Sequence, residues 1–140
     1  MFKLPVVLRT DFSDDAAWAK ITQEIALPVG PASFLASVDY VDDRAHATVN
    51  EENVREALPG YDHSFVILAD AASMSRAGHP LLVVDLSPDD EPSFRAAPGA
   101  VQSIENNLSI ASMDFAELGE AADQEEDGIF RGFDDASSLN

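Results

Sequence analysis

Two stretches, Phe65-Val66-Ile67-Leu68 and Leu81-Leu82-Val83-Val84, are almost continuously apolar, and nothing else in the chain restricts its fold as strongly. A strand with one wet face alternates apolar and polar residues, whereas a strand covered on both faces has no polar positions to spare. The two runs, extended to Ser64–Ala69 and Leu81–Leu86, are therefore expected at the centre of a sheet. Pro5–Phe12 and Phe34–Val41 read as further strands. Ser93–Ala97 reads as a weaker fifth, because Pro88-Asp89-Asp90-Glu91-Pro92 before it is turn chemistry.

Helical signals fall between these runs. Ser13 followed by Asp14 and Asp15 suits a helix start, and Trp18, Ile21 and Ile25 then share one face until Pro28 and Gly30 stop the helix. Asn50 to Leu58 reads as a second helix, closed by Pro59-Gly60. Asp114 with Glu117 forms a capping box for a last one carrying Phe115 and Leu118. In Ala100–Ala111, Val101, Ile104 and Leu108 are helix-spaced while Leu108 and Ile110 alternate as in a strand, and a helix that breaks near Asn106-Asn107 is the favoured reading. With 140 residues the chain has room for one core. The expected fold is a single α/β domain over residues 1–133, with a mixed sheet of four to five strands flanked by helices. Trp18, Ile21, Ile25, Val38, Phe65, Ile67, Val83 and Ile104 should be buried in it.

Charge narrows the functional classes. Twenty-six acids against eight bases give a net charge of −18, which opposes binding to phosphate backbones and disfavours nucleic acid as a partner. The apolar run at the start is too short for a signal peptide or a membrane span, so a cytoplasmic protein away from membranes is expected. Cysteine is absent, which removes disulfides, thiolate metal sites and cysteine nucleophiles. Between Asp114 and Asp135 there are nine acids and a single base, Arg131. Ala121–Asp127 and an acidic tail at 134–140 are thus expected to be mobile. Ile129-Phe130-Arg131-Gly132-Phe133 interrupts this run with three large hydrophobes, which should dock on the domain rather than stay in water.

Strand-end aspartates form the one recurring chemical pattern. Asp11, Asp39, Asp70 and Asp85 each lie near the end of an expected strand, and at the carboxyl edge of a parallel sheet four carboxylates would suit Mg²⁺ or Mn²⁺ and phosphoesterase-like chemistry. Aspartate is also favoured wherever a strand turns, since it bonds nearby backbone N–H groups. An antiparallel course for Leu81–Leu86 would take Asp85 out of the group. Leu-Val-Val-Asp-Leu at 82–86 has the look of a receiver-domain phosphorylation strand, but the only lysines, Lys3 and Lys20, are not placed to balance a phosphoryl group. His46, His63 and His79 are isolated, and neither a P-loop nor a dinucleotide fingerprint is present. Arg9, Arg76 and Arg95 read as internal counter-charges.

What remains is a non-catalytic acidic protein-binding module without a cofactor, of the immunity or antitoxin type, meeting a basic protein partner. Asp42, Asp43, Asp89, Asp90, Glu125, Glu126 and Phe130 are the expected contact residues. Homo-oligomerisation is left open by the sequence.

Val-Leu-Arg-Thr-Asp-Phe-Ser-Asp-Asp (7–15) with Trp18, Phe-Val-Ile-Leu-Ala-Asp (65–70), Leu-Val-Val-Asp-Leu (82–86), Ser-Ile-Glu-Asn-Asn-Leu-Ser-Ile-Ala-Ser-Met-Asp-Phe (103–115) and Asp-Gly-Ile-Phe-Arg-Gly-Phe (127–133) together resemble a family of small bacterial proteins designated only as a domain of unknown function. The resemblance spans about residues 5–133. It implies a stand-alone α/β domain and carries over no activity, cofactor or catalytic residue.

Overall fold

A computed structural model describes residues 3–29, 31, 33–109 and 113–132. The two apolar runs form β3 (Phe65–Ala69) and β4 (Leu81–Asp85), which pair with each other antiparallel at the middle of a mixed six-stranded sheet. Around them the order is β2-β1-β3-β4-β5-β6, with β1 at Val6–Arg9, β2 at Asp39–Val41, β5 at Phe94–Ala96 and β6 at Ile129–Phe130. The β1–β2, β1–β3 and β5–β6 pairs are parallel, whereas β4–β5 is antiparallel. Every strand except β4 therefore points the same way. One edge of the sheet collects the carboxyl ends of five strands; the other collects their amino ends and the carboxyl end of β4.

Alternation along the strands divides the core into two layers. Val7, Phe65, Ile67, Leu81, Val83, Phe94, Ala96 and Phe130 face one side, which is covered by α1 (Asp15–Ala26), α3 (Ala71–Ser75), α4 (Val101–Ser109) and α5 (Phe115–Asp123). Val6, Leu8, Val66, Leu68 and Val84 face the other, beneath Val54 and Leu58 from the short α2 (Val54–Ala57). Burial of the first layer follows the expected list apart from Val38, which is half-buried just ahead of β2. None of the helices among the described residues is long and apolar enough to cross a membrane.

Several expected elements come out differently, each for a local reason. The sheet has six strands rather than four or five because Ile129-Phe130 docks by adding a strand to β5. β2 shrinks to three residues. Phe34 instead bridges Val29, and the Ser37 N–H is taken by the Glu105 carboxylate at 2.9 Å, so the chain cannot join the ladder before Asp39. Asn50 folds a turn rather than a helix, since its side chain accepts from the N–H groups of Glu52 and Asn53, and the helix begins only at Val54. α4 runs unbroken through Asn106-Asn107, where Asn107 donates to the Ser103 carbonyl one turn earlier. α5 reaches Asp123, so Ala121–Asp123 is helical and Ala122 is buried rather than part of a mobile run; residues 124–127 are exposed, as expected of clustered acids. The Asp114–Glu117 capping box is present. Phe133 and the expected tail at 134–140 lie outside the described residues.

Candidate functional site

The carboxyl edge of β1 and β2 is organised by a buried cation. Arg9 ends β1 on the helix-covered face, and its side chain is only 3% exposed. A guanidinium taken out of water needs full hydrogen bonding and countercharge. Arg9 obtains both: Nε donates to the Asp11 carbonyl at 2.9 Å, one terminal nitrogen to Asp15 at 2.7 Å, and the other to Asp42 at 3.4 Å. Its plane lies over Phe12, 4.6 Å from the ring centre, with Trp18 also within reach at 5.6 Å. Arg44 approaches the same Phe12 ring at 5.2 Å. The partner carboxylates stay in water, with Asp15 79% and Asp42 49% exposed. Asp14, which caps α1, and Asp43, which caps the 3-10 turn Arg44–His46, are exposed beside them. Asp11 accepts from the Ser13 N–H and hydroxyl.

Further along this edge, Asp70 and Arg95 form a two-pronged pair at 2.8 and 2.9 Å, each about a quarter exposed. Asp70 also caps α3 through a reciprocal box with Ser73. Burial pushes its carboxyl up, but the hydrogen bonds and charge of Arg95, helped by Ser73, outweigh that and hold it below the ordinary carboxylate value.

The opposite edge is built differently. Asp85 is buried, and its two oxygens accept the N–H groups of Ser87 and Glu91, which fixes the turn into β5. Asp39 opens β2 and accepts weakly from the Leu4 N–H at 3.4 Å. Beside Asp85 a cleft of about 470 Å³ is lined by Val54, Arg55, Leu58, Tyr61, His63 and Ser87, among others. The Tyr61 hydroxyl serves the fold here, donating to the Phe65 carbonyl at 2.7 Å and accepting from the Val6 N–H at 3.0 Å. Burial dominates in pushing its pKa up to about 12. Arg55 donates to the Asp85 carbonyl and lies 3.8 Å from Asp90.

The four strand-end aspartates are thus not brought together. Asp11 and Asp70 belong to the carboxyl edge, Asp39 and Asp85 to the other, because β4 is antiparallel and because β2 begins at Asp39 rather than ending there. Among the described residues no three metal-ligating side chains are grouped. The expected contact acids also divide: Asp42 and Asp43 follow β2 at the carboxyl edge, Asp89 and Asp90 follow β4 at the opposite one, and Glu125 and Glu126 sit in the exposed α5–β6 turn. Phe130 is 2% exposed and packs edge-on against Phe94 at 6.3 Å, so it belongs to the core and not to a contact surface. Arg9 and Arg95 are internal counter-charges as expected, while Arg76 is exposed.

Sequence reasoning missed the Arg9 cluster as a unit and the outer side of β2 as a surface. An arginine within an apolar strand signalled the first; the second had no signal, since strand order is not written locally. A search of curated proteins finds no match for this chain. Glu105, in the stretch that carried the clearest resemblance, is 9% exposed and joins Ser37 to Ser109, so that signature has a structural basis independent of any chemistry. The same architecture accounts for the extent of the family match, which runs from the entry of β1 to the far side of β6: over residues 4–133 the chain fits the model of the domain of unknown function DUF6924, and it belongs to that family.

Proposed function

We propose that this domain is a non-catalytic protein-binding module that takes a basic protein partner at the carboxyl edge of β1 and β2, in the manner of an immunity or antitoxin protein acting in the cytoplasm. The observation that carries the reading is the Arg9 cluster. At that edge Arg9 is withdrawn into the protein, and the exposed Asp14, Asp15, Asp42 and Asp43 outnumber the exposed Arg44 beside them. A surface arranged this way presents fixed negative charge without requiring the protein to reorganise on binding. Asp89, Asp90, Glu125 and Glu126 add to the long-range field that steers a cationic protein, and the same field disfavours nucleic acid.

Capture from cell extract at low and at high salt tests this. The partner should be basic, and its association rate with the purified protein should fall steeply as salt rises. A neutral or acidic partner bound equally well at both salt levels would overturn it.

A further inference from the structure

The two edges of the sheet are finished in opposite ways. In a parallel ladder the N–H and C=O of one residue point to the same side, and successive residues alternate. Phe130 faces β5, since its carbonyl accepts the Ala97 N–H at 2.8 Å, so Ile129 directs both groups outward. Both are occupied: the Ile129 N–H donates to Asp127 at 3.1 Å, and its carbonyl accepts from Arg131 at 3.3 Å. Asp127 and Arg131 are themselves joined at 2.6 Å. The β6 edge is closed by an ion-paired clamp, one of the ways proteins keep a sheet edge from recruiting another strand.

The β2 edge has no such device. The Asp39 N–H donates to the Pro5 carbonyl at 2.9 Å, so Asp39 faces β1 and Tyr40 points its N–H and C=O away from the sheet. Among the described residues no strand lies beyond β2 and nothing bonds those two groups. Tyr40 is 41% exposed, and its ring meets Trp18 edge-on at 6.4 Å. The chain leading into the strand carries Phe34 and Leu35 at 59% and 60% exposure. Within three residues of Tyr40 stand Asp39, Asp42 and Asp43.

We infer that the outer edge of β2 accepts an added strand from the partner, an extended basic segment in which lysines or arginines alternate with apolar residues. This rests on the basic-partner reading above and names how the partner is held. Charge selects the occupant: a second copy would bring the same acids and a net charge of −18 against this edge, whereas cations at alternate positions would lie on the face of Asp39, with Asp42 and Asp43 past the strand's end adding to the attraction. The apolar positions would pair with Tyr40. A three-residue edge offers a single outward N–H and C=O pair, so charge supplies much of the affinity and the complex is salt-sensitive.

The test uses an amidated nine-residue peptide of alternating lysine and valine, with its glutamate–valine counterpart as control, titrated into the full chain up to millimolar concentration. The lysine peptide should bind, the glutamate peptide should not, and the Tyr40 amide should change from fast to slow hydrogen exchange on binding. Tyr40→Pro removes the outward N–H together with the side chain and is tolerated on an edge strand; it should weaken binding by about tenfold. Tyr40→Ala, which keeps the N–H, should lose less. Exchange protection is read on the unaltered protein, so the outcome does not depend on either variant folding. Salt-sensitive binding without protection of the Tyr40 amide overturns strand addition but leaves the acidic-surface reading standing. No binding of the lysine peptide overturns strand addition as well, and the salt-dependent capture experiment then judges the wider reading separately. A dimer in sedimentation that Tyr40→Pro dissolves overturns the choice of occupant in favour of a second copy.

Discussion

Asp127 and Arg131 hold the two outward backbone groups of Ile129 between them, the carboxylate on the N–H and the guanidinium on the carbonyl, while bonding each other through two contacts at 2.6 and 3.0 Å. The pair thus ends the sheet at β6 using only three residues beyond the strand itself, Asp127, Gly128 and Arg131. The Arg131 hydrogen bond is the main reason that the Asp127 carboxyl falls from 3.8 to about 2.

That depression gives the first prediction. A carboxylate with a lowered folded pKa contributes stability above its ordinary value, and the contribution is lost as pH falls through the folded value. Asp127, followed by NMR, should titrate near 2 and return toward 3.8 in Arg131→Ala. The same substitution should speed exchange of the Ile129 amide while leaving the thermal midpoint nearly unchanged, because the pair is exposed. An Asp127 that titrates normally in the parent protein would show that the clamp is not formed in solution.

Asp70 and Arg95 should matter more. Asp70→Ala removes a helix cap and leaves a half-buried guanidinium without its partner, so unfolding in urea should show a loss of about 2–3 kcal/mol, scaled down from fully buried pairs because a quarter of each side chain is exposed. Asp70→Asn keeps the cap and should cost less. The folded Asp70 carboxyl lies below its unfolded value, so its contribution is complete above about pH 4 and fades as pH drops through the lower folded value. Equal losses for the two variants would assign the whole effect to the ion pair with Arg95 and none of it to the cap.

Parts of this fold are legible because the sequence states them more than once. β3 and β4 announce themselves by unbroken apolar runs, and α1 by both its cap and its Trp18-Ile21-Ile25 face. α3 is hidden, since Ala-Ala-Ser-Met-Ser is too short for a periodicity and its only marker is the Asp70–Ser73 spacing. β6 is readable as a hydrophobic segment that must dock, but two residues cannot reveal that docking means joining a ladder. The aspartates at strand ends are visible, yet which edge each occupies depends on strand direction. Direction is decided by the connections: the short α3 returns the chain antiparallel from β3 to β4, and with that Asp85 changes edge. Nor does residue type at Tyr40 reveal that it ends the sheet.

Glu105 joins two segments that are far apart in sequence, accepting the Ser37 N–H at 2.9 Å and the Ser109 hydroxyl at 3.0 Å. Glu105→Ala leaves a donor on the segment before β2 without its partner and should destabilise the protein by about 1–3 kcal/mol. Glu105→Gln retains an acceptor and should recover most of that loss. Faster exchange of the Ser37 amide in the alanine variant, with β3 and β4 unchanged, would locate the effect.

The strand at 129–130 provides the last prediction. Ile129 and Phe130 are 4% and 2% exposed, and Phe130 sits in the same aromatic group as Phe94 and Phe115, whose rings lie 5.1 Å apart. A segment that closes the core in this way stabilises the isolated protein, whereas one offered to a partner would leave its stability untouched. Phe130→Ala should therefore cost about 3–5 kcal/mol, the range for emptying a buried aromatic site. Removal of residues 128–140 should lower the melting temperature by at least as much, because it also takes Ile129 and exposes the β5 edge. The deletion has a second consequence that separates packing from charge. The loss of Asp134 and Asp135 with Arg131 changes net charge only slightly, so a destabilisation that persists at high salt belongs to the core, and one that salt abolishes belongs to the ion pair. The geometry requires the first outcome, and an unchanged midpoint after deletion would show that β6 does not hold the fold together.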